Sequence, residues 1–233
     1  MRMDDKEMTF RKEMAMSKSR FATIVMALVV LAVGFEAMAE DTVITIDEKG
    51  RDTYVDSRDP GNANQAGGQV FVHAGHADGS NNFKLWAMIQ FDLSNTPANV
   101  ESAKLELYRY SGDGTGTDVA VHQIKKEWDE KSASWSALPD FEGTPVTKVK
   151  VSDEKDVWHS FDITPLYKAW KSGKTTNYGV MLRTGENNGE TFGYYSKESE
   201  TKALRPRLVL KVSAASQPAT QPKATAESNV QAK

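Results

Sequence analysis

Between positions 41 and 212 apolar and polar residues alternate over short runs, and Gly, Asn, Asp and Pro punctuate the gaps. The run 103–110 shows this best: Leu105 and Leu107 fall on one side, Glu106, Tyr108 and Tyr110 on the other. A period of two belongs to a strand with one buried face, because successive side chains leave a pleated backbone in opposite directions. Similar β-branched or aromatic runs lie at 43–46, 70–72, 86–93, 119–124, 146–151, 158–163, 179–183, 192–196 and 207–212. Many short strands with turn signals between them predict an all-β fold, an antiparallel β-sandwich of the jelly-roll type. One short helix interrupts the strands. Thr164 can cap it, Pro165 suits its first turn, and Gly173 suits the residue just past its end. Leu166 and Trp170 lie one turn apart and should face the sandwich.

The flanks break the alternation. Lys12, Lys18 and Arg20 precede an apolar run over 21–35, and Ala37-Met38-Ala39 follows it. Basic, apolar and small residues in that order predict a secretory signal over 1–39. The apolar run falls short of the about 20 residues a membrane span needs, so no membrane segment is expected after cleavage. Residues 213–233 are mostly Ala, Gln, Pro, Thr, Ser and Lys with little apolar mass, and are expected to be a disordered tail. The fold is then expected over 40–212, in a secreted, extracellular or periplasmic protein.

The 233-residue chain carries 29 Lys and Arg against 32 Asp and Glu, a formal net charge of −3. That balance offers no field for gathering nucleic acid. There is no cysteine, which excludes a thiol nucleophile and a thiolate zinc site and leaves the core to hold the fold alone.

Short motifs recur in a definite order. Asp52-Thr53-Tyr54-Val55-Asp56 comes first, then Met88-Ile89-Gln90-Phe91-Asp92-Leu93-Ser94 and Ser102-Ala103-Lys104-Leu105-Glu106-Leu107-Tyr108. Trp128-Asp129-Glu130, Ser134-Trp135 and Trp158-His159-Ser160-Phe161-Asp162-Ile163-Thr164 follow. Trp170-Lys171-Ser172-Gly173, Asn177-Tyr178-Gly179-Val180 and Arg205-Pro206-Arg207-Leu208 close the series. This order resembles the DNRLRE-domain family, also classed as carbohydrate-binding module family 96. The resemblance implies a secreted β jelly roll that binds polysaccharide, in part of the family an acidic one such as alginate. Gln90 stands where the family often has a basic residue.

Sugar rings have an apolar face that stacks on Trp or Tyr, while cations and amides hold hydroxyls and carboxylates. The candidate sugar-binding residues are therefore Lys84, Trp86, Arg109, Tyr110 and Arg183. Trp86 follows the Gly/Asn-rich stretch 78–82 at a strand start, near Lys84, and Tyr110 shares a face with Tyr108. Lys84, Arg109 and Arg183 are strand cations that can line one face, where an Arg fork grips a uronate carboxylate. Trp128, Trp135, Trp158 and Trp170 lie inside the structural motifs and are expected to pack in the core.

A structural calcium is the one cofactor the sequence suggests. Asp52, Asp56, Asp59, Asn62 and Asn64 crowd one loop region with oxygen atoms, and Asp162 can join them or cap the helix start. The candidate metal ligands are Asp52, Asp56, Asp59 and Asp162. His73 and His76, with Asp78 near, have a metal-like spacing but lack a third ligand for zinc, and are read as loop histidines.

No motif singles out a pair of carboxylates for glycoside hydrolysis, and Glu130 reads as structural. No Gly-x-Ser-x-Gly elbow or phosphate-binding loop is present. The favoured reading is a non-catalytic polysaccharide-binding module. A structural or adhesive surface protein and a polysaccharide lyase or hydrolase are the alternatives.

Overall fold

The computed structural model describes residues 41–63, 69–73, 83–111, 117–184 and 191–212. The expected signal, the expected tail, Asn64, His76 and Asp78 lie outside them.

The described strands are β1 (Asp41–Thr45), β2 (Arg51–Asp56), β3 (Gln69–His73), β4 (Leu85–Gln90), β5 (Val100–Ser111) and β6 (Asp118–Gln123). Then come β7 (Thr147–Lys150), β8 (Val157–Asp162), β9 (Val180–Thr184), β10 (Thr191–Tyr195) and β11 (Arg207–Val212). The helix α1 (Thr164–Lys171) lies between β8 and β9. Hydrogen bonding runs along β1-β11-β5-β10-β3-β4-β9-β6-β7, with β8 on the far edge of β5 and β2 on the far edge of β4. Every pairing is antiparallel.

The chain thus forms two stacked sheets. The first is β1-β11-β5-β8 and the second is β2-β4-β9-β6-β7. The β10–β3 pair joins the end of β5 to the end of β4. Leu105, Leu107, Phe161, Leu208 and Leu210 of the first sheet meet Ala87, Ile89, Val119, Val121, Val180 and Leu182 of the second in one buried cluster. These residues sit at alternate positions because only one side of each strand can face the partner sheet. The antiparallel sandwich expected from the alternation is the fold.

Two details differ from expectation. β2 was not among the expected strands, because its buried residues include Asp52, Thr53 and Asp56, which hide the apolar period. Thr164 does not cap α1. Asp162 does, accepting the Thr164 N–H at 2.8 Å, while Thr164 Oγ1 accepts the Ala103 N–H of β5 at 2.9 Å. Leu166 and Tyr167 are buried, and Trp170 packs against the same core. Gly173 ends the helix at φ 73°, the left-handed conformation that glycine adopts freely.

Candidate functional site

The two outer faces of the sandwich are not alike. On the second sheet the segment from β6 to β7 folds back as a lid. Trp128, Ala133 and Ile124 are buried there against Val55, Trp86, Met88 and Met181, with Trp135, Leu138 and Phe141 packed on them. Trp128 Nε1 donates to the Tyr178 carbonyl at 2.8 Å, and Arg51 donates to the Trp128 carbonyl. β4 is therefore buried on both sides, as its almost continuous burial shows.

This lid relocates two candidates. Trp86 is only 9% exposed, with the Trp135 ring centre 4.6 Å away and Phe141 at 5.8 Å. Arg183 lies over the Trp86 ring at 4.2 Å and over Phe141 at 5.3 Å. The two candidates do meet, but beneath the lid rather than on an open surface. Lys84 is half-buried just before β4, exchanging backbone contacts with Ser57: its N–H donates to Ser57 Oγ at 2.7 Å and its carbonyl accepts the Ser57 N–H.

On the first sheet no buried hydrophobic cluster lies outside the sandwich, among the described residues. The polar-side positions of β5 and their neighbours form a row of half-buried aromatic residues. Trp158 of β8 stands edge-on to Tyr108 of β5 at 5.3 Å, and Tyr108 lies 6.0 Å from Tyr195 of β10. Tyr195 leans on Tyr110 at 4.7 Å. The register shifts between Gly193 and Tyr194: Tyr194 opposes Arg109 and Gly193 opposes Ser111, which leaves Tyr110 as the extra residue of a bulge. Bulges re-aim side chains, and this one sits at the end of the row. Arg207 of β11 covers Trp158 at 3.8 Å and pairs with Glu106 at 2.7 Å. Lys104, exposed on the same side of β5, lies opposite Asp162. The tyrosines lean on one another, so they offer a mixture of ring and hydroxyl surface.

Trp158 is a correction to the expected core tryptophans. In β8 the buried residues are His159 and Phe161, so alternation sends Trp158 and Ser160 outward. Arg109 is a second correction. It follows Leu105 and Leu107 at the same period and points inward, 1% exposed. Its guanidinium donates to the Ser152 carbonyl at 2.9 Å and the Glu154 carbonyl at 3.3 Å, and lies over Phe192 at 4.8 Å.

Beside Arg109, His159 and Tyr194 are buried and joined by a 2.8 Å hydrogen bond between Nδ1 and the phenol oxygen. Burial, then the Arg109 charge, pulls the His159 imidazole down to about 4. Burial pushes the Tyr194 phenol up. In the native state His159 stays neutral where an unfolded chain would take up a proton. Stability is full above the ordinary histidine value of 6.5 and falls as pH drops from there toward 4. The slope from this one group is at most about 1.4 kcal/mol per pH unit. Thermal melts between pH 7 and 4.5 should show the decline. A proton NMR titration should show His159 still neutral at pH 5, and a charged His159 there would contradict the assignment.

The four carboxylates expected to bind calcium do not converge. Asp56 is held by Arg58, whose Nη2 lies 2.6 Å from Oδ2. Asp59 is exposed, and Asp162 is occupied at the helix start, in the other sheet. Asp52 instead meets Glu130 and Glu198, with one carboxylate oxygen from each within 4.8 Å of the others. Asp52 is fully buried, and its Oδ2 accepts the Lys197 N–H at 2.8 Å. Glu130 accepts the Asp52 N–H at 3.2 Å, so it closes a free backbone donor on the edge strand β2. Burial, followed by the charge of Glu198, pushes the Asp52 carboxyl well above the usual range.

Of the sugar-binding candidates only Tyr110 lies on the aromatic row, and it is joined there by Tyr108, Trp158, Tyr195 and Arg207. No curated protein matches the chain. The family model for carbohydrate-binding module family 96 matches residues 45–212, which takes in β2 to β11, the lid and the row. With most of its length inside that match, the chain belongs to carbohydrate-binding module family 96.

Proposed function

We propose that the protein is an exported, non-catalytic polysaccharide-binding protein whose sugar chain lies along the row Trp158, Tyr108, Tyr195 and Tyr110. The observation that carries this reading is the asymmetry of the sandwich: one outer face is sealed by the protein's own lid, and the other presents aromatic residues. Rings half-open to solvent match the apolar faces of sugar rings, and the phenol oxygens among them match sugar hydroxyls.

Uronate-containing chains are the favoured class. Arg207 and Lys104 flank the row, and a uronate carboxylate can take the place of Glu106 on the Arg207 fork. The non-catalytic reading is supported by the placement of His159 and Tyr194. They are the kind of pair a lyase uses to abstract a proton, but they are closed off in the core. Export rests on the signal pattern over 1–39. No described helix is long and apolar enough to cross a membrane.

The test is affinity electrophoresis on neutral and uronate polysaccharides. Binding is expected, strongest on a uronate chain, with no unsaturated product formed. Trp158→Ala and Tyr195→Ala should each weaken it by about 10–30-fold, the loss typical of a central aromatic anchor. Lys148→Ala, on β7 of the other sheet, should leave it unchanged. Absence of binding to every polysaccharide, or full affinity in Trp158→Ala, would overturn the proposal.

A further inference from the structure

Asp52, Glu130 and Glu198 come from β2, from the turn after β6 and from the loop after β10. Folding therefore brings together three carboxylates that no local motif contains. Glu130 is mostly buried, with its side chain 18% exposed, and Glu198 lies at the rim at 40%. The positive charge among them comes from Lys197, whose Nζ lies 2.9 Å from Glu130 Oε2 and 3.6 Å from Glu198 Oε1. Its charge also acts on Asp52, but more weakly than on the two glutamates. One ammonium thus faces two glutamates, and the buried Asp52 carboxyl beside them has its charged form disfavoured by burial and by Glu198.

One atom has been left for a ligand. Asp52 Oδ1 is buried and takes no hydrogen bond, while its partner Oδ2 has the Lys197 N–H. A buried carboxylate oxygen without a donor is costly, because water that solvated it in the unfolded chain has been stripped away. The other oxygens of the cluster are oriented by the protein itself. Glu198 Oε2 accepts the Ser196 hydroxyl at 2.7 Å, and Ser196 is itself fully buried. Glu130 is steered by the Asp52 N–H and Lys197.

From this geometry we infer that Asp52, Glu130 and Glu198 form a binding site for a calcium ion. Calcium binds oxygens at about 2.3–2.6 Å, so two ligands on opposite sides of one ion stand about 4.6–5.2 Å apart. The three carboxylate oxygens lie within 4.8 Å of one another, close enough to share one ion. An all-carboxylate set without imidazole or thiolate selects a hard cation. Calcium accepts the irregular, partly bidentate arrangement of three unequal carboxylates, with water completing the shell, whereas magnesium demands a near-ideal octahedron. The ion would offset the repulsion among the carboxylates, satisfy Asp52 Oδ1, and tie the edge strand β2 to the lid turn and to the loop after Tyr195.

The test uses the purified chain stripped with chelator at pH 7. Calorimetric titration with calcium chloride should find about one ion per chain. The thermal midpoint should rise by roughly 5–10 °C at a calcium concentration about a hundredfold above the dissociation constant. Asp52→Asn and Glu198→Gln should lose the response. Glu198 is at the rim, so its variant folds even if Asp52→Asn does not. Asp59→Asn, outside the cluster, should keep the response. No heat and no shift at about 10 mM calcium, a concentration that saturates extracellular calcium modules, would overturn the inference. So would a full response in Glu198→Gln, and an equal response to magnesium would overturn the choice of ion.

Discussion

Gly179→Ala should lower the thermal midpoint by roughly 6–20 °C, the equivalent of about 3–5 kcal/mol. Gly179 has φ 86°, where an L side chain is strained by about 1–2 kcal/mol. A methyl group there would also stand 2.3 Å from the Ile89 carbonyl oxygen and 2.9 Å from Gln90 Cβ. Ile89 pairs with Val180 in the middle of the second sheet, so the obstacle is backbone held on both edges. The turn before it is equally fixed. Gln90 Nε2 donates to the Asn177 carbonyl at 2.7 Å, and Asn177 Nδ2 donates to the Phe91 carbonyl at 2.9 Å. Gly173→Ala is the comparison, because Gly173 has a similar φ but open space around it. It should cost only about 1 kcal/mol. Equal midpoints for Gly179→Ala and the parent in calorimetry would show that the β4–β9 contact yields more easily than its pairing suggests.

The second large effect is at Arg109. Arg109→Ala should destabilise the fold by about 3–5 kcal/mol, through a cavity beside Phe192 and loop carbonyls left without a donor. Arg109→Met restores much of the volume but none of the hydrogen bonds, and should lose about half as much. The Met variant has a second readout. Arg109 is one of the causes that hold the His159 imidazole low, so its removal should let His159 titrate at a higher pH. A destabilised Arg109→Met with an unmoved His159 titration would place the guanidinium charge elsewhere. Denaturant melts and the NMR titration together decide between packing and charge.

These residues also show what sequence alone reveals. Alternation along β5 and β8 is legible, and it carries the sandwich. Applied consistently, it also puts Arg109 inside and Trp158 outside. Chemical type points the other way, a cation to the surface and a tryptophan to the core, and in both cases the strand period decides. Trp86 could not be read in this way. Its side of β4 is covered only because the distant segment around Trp135 and Phe141 returns over it. The acidic cluster was out of reach for the same reason, since Asp52 meets Glu130 across 78 positions and Lys197 across 145. Asp52 lies in a legible motif, but its partners are fixed by topology rather than by spacing. The helix end was legible because Gly173 performs a local function.

The pairing of β1 with β11 has a mechanical consequence. Asp41 lies opposite Lys211, so the polypeptide enters and leaves the sandwich at one corner. A force applied to both ends would therefore act at that corner alone. Pulling the two ends apart loads the β1–β11 ladder one rung at a time, as a zip opens, rather than shearing its five pairs together. The outermost strand would peel away first, while the stacked sheets behind it held their shape.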